Sequence, residues 1–152
     1  MAKKITLKVS AIKQGTVIDH IPPGQAFKIV KILNLENGKE FIMIGMNFGS
    51  KKYGRKDIVK IENRELKSDE ANAISLIAPI ATLNIIRNFK VVKKTKVKVP
   101  KLIKRIIRCS NPNCITRHED VQTKFHVIST KPLTIKCHYC ERITPLEEIT
   151  FL

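Results

Sequence analysis

An α+β chain in two parts is the fold class the sequence predicts, and three observations lead to it. The N-terminal part alternates between the periods of strand and helix, four cysteines fall in two close pairs after residue 108, and a lysine-rich segment separates the two regions. With 43% apolar residues and only six glycines in 152, the chain has enough apolar content for packed domains.

The N-terminal elements follow in order. Thr16–Ile21 alternates well enough for a strand, and Pro22-Pro23-Gly24 then breaks it and opens a helix, because proline is tolerated where first-turn N–H groups are unpaired anyway. Phe27, Val30, Ile32 and Leu33 are expected to face inward, and Asn37-Gly38 to end that helix. Phe41–Met46 reads as a strand, and Gly49-Ser50-Lys51-Lys52-Tyr53-Gly54 as a hairpin loop into a strand at Asp57–Ile61. Ser68 is the expected N-cap of a second helix that runs to about Ala78, before Pro79, with Asp69 and Glu70 in its first turn. Strands at Thr82–Ile86 and Phe89–Val92 complete the order β-α-β-β-α-β plus one strand, the split-βαβ, ferredoxin-like sandwich. This predicts a domain over residues 1–95, a linker over 96–101 and a small all-β domain over 102–152, with strands at Ile103–Ile107, Thr123–Ile128, Leu133–Lys136 and Glu147–Phe151.

Cys109 and Cys114 are separated by four residues, and Cys137 and Cys140 by two. Each pair can form a knuckle, and two knuckles supply the four thiolates of a closed structural Zn²⁺ site, one ion per chain. Two disulfides would suit a secreted chain, but residues 1–25 lack an apolar run with a small-residue cleavage site, so a reducing, cytoplasmic setting is expected. A redox Cys-x-x-Cys belongs near a βαβ pattern, whereas the second pair follows the strand-like Leu133–Lys136. An iron–sulfur cluster stays open as the alternative.

The net charge of +16 predicts attraction to polyanions without choosing among them. Between Glu70 and Glu119 there is no acidic residue, and Arg87 to Arg108 carries ten Lys or Arg. The longest apolar stretch, Ile74–Ile86, is interrupted by Ser75, Pro79, Thr82 and Asn84, so no membrane span is expected. The sequence shows no paired nucleophile and base, no metal with an open position and no phosphate loop, so no catalytic activity is expected.

Several stretches, in order and spacing across almost the whole chain, resemble the regulatory chain of aspartate carbamoyltransferase. They are Val9-Ser10-Ala11-Ile12-Lys13-Gln14-Gly15-Thr16-Val17-Ile18-Asp19-His20-Ile21-Pro22, Gly54-Arg55-Lys56-Asp57-Ile58-Val59-Lys60-Ile61-Glu62-Asn63, Ala78-Pro79-Ile80-Ala81-Thr82-Leu83-Asn84 and the two cysteine pairs. The resemblance implies an allosteric first domain that binds CTP as inhibitor and ATP as antagonist or activator, in control of pyrimidine biosynthesis. It implies Ala11, Ile12 and Val17 around base and sugar, Asp19 and Lys60 at the ribose, and His20 and Lys94 at the phosphates, with Asn84, Phe89 and Val91 completing the pocket. A triphosphate needs compact cations, and a carboxylate suits ribose hydroxyls as an acceptor. Phe89 stands where the resemblance expects tyrosine, so a contact through a phenol hydroxyl is lost while one through the backbone carbonyl survives.

The resemblance further implies partners: the catalytic subunit, contacted by Asn111 and Asn113 of the first knuckle, and a second copy of the chain in a homodimer. Taken singly, Ala11, Ile12, Val17 and Val91 also suit a core, and Lys60 and Lys94 a solvated surface. The second functional reading is a nucleic-acid-binding zinc-ribbon protein. It is disfavoured because aromatic residues are only 5% of the chain and none lies between Lys93 and Arg108, where stacking on bases would need them.

Overall fold

The computed structural model describes residues 10–152, so Val9, the first residue of the first motif, lies outside the described residues. These residues fall into two compact units, one ending at Lys98 and the other running from Val99 to Leu152.

The first unit has the order β1 (Gly15–Ile21), α1 (Ala26–Ile32), β2 (Ile42–Ser50), β3 (Gly54–Glu62), α2 (Ser68–Ile77), β4 (Thr82–Arg87) and β5 (Lys90–Lys96). Its five strands lie in the order β2-β3-β1-β4-β5, each pair antiparallel. The first four make the ferredoxin-like sheet, and β5 extends it beyond β4. Alternation along β1 and β3 sends Ile18, Val59 and Ile61 into the core, where they meet Ala26, Ile29 and Val30 of α1 and Ile74 of α2. Each fully buried isoleucine contributes about 1.5–3 kcal/mol relative to exposure. Gly15 opens β1 at φ +138°, and a Cβ there would stand 2.0 Å from the Ile61 carbonyl oxygen, so only glycine fits this start of the central strand.

Helix α1 corrects two expectations: it ends at Ile32, with Asn34 left-handed and a separate 3-10 turn at Leu35–Asn37 before Gly38, and Phe27 does not face inward. Its apolar stripe is Ala26, Ile29, Val30 and Leu33, and Phe27 lies roughly 110° round the helix from the centre of that stripe. Phe27 is therefore 57% exposed, while Ile32, on the opposite flank, packs partly against the core.

The start of α1 is organised by a residue far away in sequence. Asp57 on β3 is fully buried, and its carboxylate accepts the backbone N–H groups of Gly24 at 2.9 Å, Ala26 at 3.1 Å and Asn47 at 3.0 Å. One side chain thus caps the helix and holds the irregularity in β2 where the register shifts and Asn47 takes φ +60°.

For α2, Ser68 is the first helical residue rather than the cap. Lys67 holds the cap position, and the Glu70 carboxylate reaches back to the Lys67 N–H at 3.1 Å.

Strands β4 and β5 are joined by a tight turn in which Asn88 and Phe89 both have positive φ, 51° and 64°. Phe89 is therefore a turn residue, and the strand expected at Phe89–Val92 runs from Lys90 through Lys96. Val97 is then buried in the same core, with its N–H on the Ala81 carbonyl at 3.1 Å.

The second unit has a four-stranded antiparallel sheet in the order β10-β9-β8-β6 and a two-stranded pair, β11 with β7. The strands are β6 (Leu102–Lys104), β7 (Ile107–Arg108), β8 (Lys124–Thr130), β9 (Leu133–Cys137), β10 (Ile143–Pro145) and β11 (Thr150–Phe151). The single strand expected at Ile103–Ile107 divides at Arg105, which has φ +63°. The expected Glu147–Phe151 strand begins instead as a 3-10 turn at Leu146–Glu148. Ile103, Ile107, Phe125, Leu133 and Ile135 form a small interior together with Cys109, Cys114 and Cys137. Among the described residues no helix is long and apolar enough to cross a membrane.

Candidate metal centre and sheet-face site

The four Sγ atoms of Cys109, Cys114, Cys137 and Cys140 all lie within 4.8 Å of one another. Cys109 and Cys140 approach to 3.6 Å and Cys114 and Cys137 to 3.8 Å. Zinc–sulfur bonds of about 2.3 Å at tetrahedral angles place sulfurs about 3.8 Å apart, so one ion fits between them. The thiols are free, and their separations far exceed a disulfide bond of about 2.05 Å. An iron–sulfur cluster, with sulfides between several irons, spreads its thiolates more widely than this.

The local sequence makes the knuckles. The Asn111 carbonyl accepts the Cys114 N–H at 3.0 Å, and its side-chain oxygen accepts the Asn113 N–H at 3.0 Å. In the second knuckle the Cys137 carbonyl accepts the Glu141 N–H at 3.1 Å, with Glu141 at φ +63°. Arg117 donates to the Cys109 carbonyl at 2.9 Å and ties the first knuckle to the turn after it.

Burial pushes the Cys109 thiol up to about 12 and raises Cys137 in the same direction. At Cys140 burial also opposes ionisation, but the Arg142 backbone N–H and the Asn111 amide outweigh it and hold the thiol at about 7. The two buried thiols would stay protonated on their own at neutral pH. A divalent cation reverses that balance, because thiolate is the ligand and metal binding expels the protons. Zn²⁺ bound here would close the site with four sulfurs, hold the two knuckles together and leave no position for a substrate.

The second group of residues lies on the face of the N-terminal sheet away from the helices. Register places Lys60, Val17, Asn84 and Lys94 in one line across β3, β1, β4 and β5, since Val17 stands opposite both Lys60 and Asn84, and Asn84 opposite Lys94. Asp19 follows two residues along the same face of β1, and Val91 stands opposite Ile86, two residues from Asn84. From the Gly15–Ile86 row to the Asp19–Thr82 row is about 13 Å at strand rise, a length that suits an extended ligand.

Ala11, Phe89, Val91 and Lys94 are exposed, whereas Ile12 is buried. The Phe89 N–H donates to the Lys13 carbonyl, and the Lys60 ammonium to the Ser10 carbonyl at 2.9 Å, so residues 10–13 are laid against this region. Burial lowers the Lys60 ammonium, and the Asp19 charge pulls the other way. His20 sits at the β1 irregularity with φ +58°, its Nδ1 3.0 Å from Thr82 Oγ1 and its ring edge-on to Tyr53. It stands at the end of β1 remote from the Phe89 turn.

One residue of this face escaped the sequence reading. Lys56 pairs with Asp19 at 3.0 Å, so the carboxylate expected at the ribose already has a cationic partner. Its parity with Lys60 on a strand was the available signal. A cleft of about 250 Å³ opens at Gln14, Gly15, Asn63, Arg64, Glu65, Ile86 and Arg87, but none of the expected nucleotide residues lines it. Its arginines are occupied by Glu70 and Glu65.

Comparison with known proteins agrees with this division. The family model described as aspartate carbamoyltransferase regulatory chain, allosteric domain, matches residues 7–98, and the one described as the metal binding domain of the same chain matches residues 101–150. Curated relatives carry the name aspartate carbamoyltransferase regulatory chain. One from Pyrococcus abyssi is 60% identical, covering 94% of this chain and 95% of its own. Another from Pyrococcus horikoshii is 58% identical with the same coverage, and one from Methanothermobacter thermautotrophicus is 47% identical over 98% of this chain and 96% of its own. The thiolate cage and the two family matches, which together span nearly all of the sequence, make this chain a member of the aspartate carbamoyltransferase regulatory-chain family, a regulatory chain and not itself a catalytic one.

Proposed function

We propose that the N-terminal unit senses nucleoside triphosphates on its open sheet face and that the metal unit docks on the catalytic subunit of aspartate carbamoyltransferase. CTP acts as inhibitor and ATP as its antagonist or activator. The observation that carries the reading is the register line Lys60–Val17–Asn84–Lys94. It presents two cations and an amide around an apolar centre on a sheet face that no helix covers among the described residues, with Asp19 and Lys56 alongside. Such a surface fits a base and ribose laid flat with a phosphate tail.

Lys94 is exposed and free to meet phosphate oxygens, and Lys94→Ala should weaken CTP binding by one to two decades, since a charge-assisted contact is worth roughly 1.5–3 kcal/mol. Calorimetry on the full chain checks this, with inorganic triphosphate and a random oligonucleotide as comparators. Equal binding of all three would mean that charge alone is read and would favour the nucleic-acid function, whose affinity also falls steeply with salt.

Asn113 lies exposed at the tip of the first knuckle, and Asn111 shapes the turn beneath it. Asn113→Ala should therefore leave zinc and CTP binding unchanged while weakening assembly with the catalytic subunit, measured by sedimentation of the mixed chains. Unaltered assembly removes Asn113 from the interface. Strand β2 is one of the two outer strands of its sheet, with Ile44 and Met46 on it and Phe41 beside it exposed, which favours pairing with a second copy in a regulatory homodimer. The cytoplasm, where catalytic chain and nucleotides meet, is the setting this function requires.

A further inference from the structure

We propose that His126 and His138 form a second metal site, a two-imidazole chelate for a divalent cation of the nickel(II) or copper(II) class, separate from the tetrathiolate. His126 lies on β8 and His138 directly follows β9, and their Nε2 and Nδ1 atoms are 2.9 Å apart. Neighbouring hydrogen bonds fix the backbone at His138 and the Tyr139 ring beside it. The His138 N–H donates to the Lys124 carbonyl at 2.9 Å, the Tyr139 ring stands edge-on to His138 at 5.1 Å, and the Tyr139 hydroxyl donates to the Gln122 carbonyl at 2.9 Å.

Two imidazole nitrogens facing each other share one proton or give both lone pairs to one cation. Metal–imidazole bonds of about 2.0–2.1 Å at right angles put two nitrogens about 2.9 Å apart, whereas a tetrahedral ion needs about 3.3 Å. Once the rings have turned, a right-angled two-nitrogen chelate is the geometry that tetragonal Ni²⁺ and Cu²⁺ take, and these ions suit the pair. The rings must turn about χ2 to aim both lone pairs at one point, which is easy because the pair is exposed. Lys136, opposite His126 in the ladder, and Lys124 repel a cation. Four thiolates and Zn²⁺ carry a formal −2 that begins one residue away at Cys137 and offsets them.

The test adds Ni²⁺ to the full, zinc-loaded chain and follows uptake by calorimetry and metal analysis. The expected result is one nickel per chain with the zinc retained. His126→Ala should weaken nickel binding at least tenfold without loss of zinc, and His118→Ala, whose ring is engaged with the Pro112 carbonyl, should not change it. Absence of saturable nickel uptake, nickel that merely displaces zinc, or uptake unchanged in both His126→Ala and His138→Ala would overturn the proposal.

Discussion

Cys114→Ser should strip the second unit of its metal and unfold it while the first unit keeps its structure. Cys114 is fully buried, 3.8 Å from Cys137, and its replacement leaves three thiolates and a weakly coordinating hydroxyl in a cage shaped for four. A unit of this size has few fully buried side chains, and modules below roughly 70 residues generally need a metal or disulfide to stay folded. Structural zinc supplies about 10–16 kcal/mol in comparable small modules, so folding there is metal binding. Metal analysis should find zinc lost from the variant. Hydrogen exchange should show protection lost across β6 to β11 and kept in β1, β3 and β4. Protection retained in the second unit without metal would show that its interior suffices.

Asp57→Asn should be the most damaging single change in the first unit that leaves side-chain volume unaltered. Both carboxylate oxygens are used, one by Asn47 and the other by Gly24 and Ala26, with no exposure to water. An amide offers one acceptor oxygen and turns an NH₂ towards N–H donors, so at least one backbone donor loses its partner and the negative charge at the start of α1 disappears. The cost should be about 2–4 kcal/mol, lowering the melting temperature of this unit by roughly 10–25 °C. Asp19→Asn is the control, because the Asp19–Lys56 pair is partly exposed and its loss should cost less than about 1 kcal/mol. Thermal melting of the two variants side by side checks the ranking. Equal shifts would remove the capping role given to Asp57.

The contrast between these two aspartates marks what could be read from sequence. Local signals sufficed for β1, for the Gly49–Gly54 hairpin and for helices that stop before Pro79 and begin after Pro22-Pro23-Gly24. Cysteine spacing sufficed for the metal cage. Asp57 could not be identified as a cap because the helix it caps begins 31 residues earlier, and only the fold brings the two together. Phe27 was misplaced because a seven-residue helix gives its apolar stripe too few repeats to fix the phase. Strand β10 is three residues long with Ile143 exposed, too short for a period to show. For the sheet face, parity tells which residues of one strand share a side, but the line joining Lys60 to Lys94 depends on a strand order that places β1 between β3 and β4.

The metal unit and the sheet face lie in different units, so under the proposed function a nucleotide would influence catalysis only by favouring one state of the assembled enzyme. Such coupling is typically 1–3 kcal/mol and must act equally in reverse on nucleotide affinity. The most direct test mixes this chain with its catalytic subunits and measures aspartate saturation of the assembled enzyme with and without CTP. CTP should shift the half-saturating aspartate concentration, and Lys94→Ala should assemble normally but show a much smaller shift at the same CTP concentration. Failure to assemble, or a CTP response that survives Lys94→Ala undiminished at every CTP concentration, would contradict the proposed function.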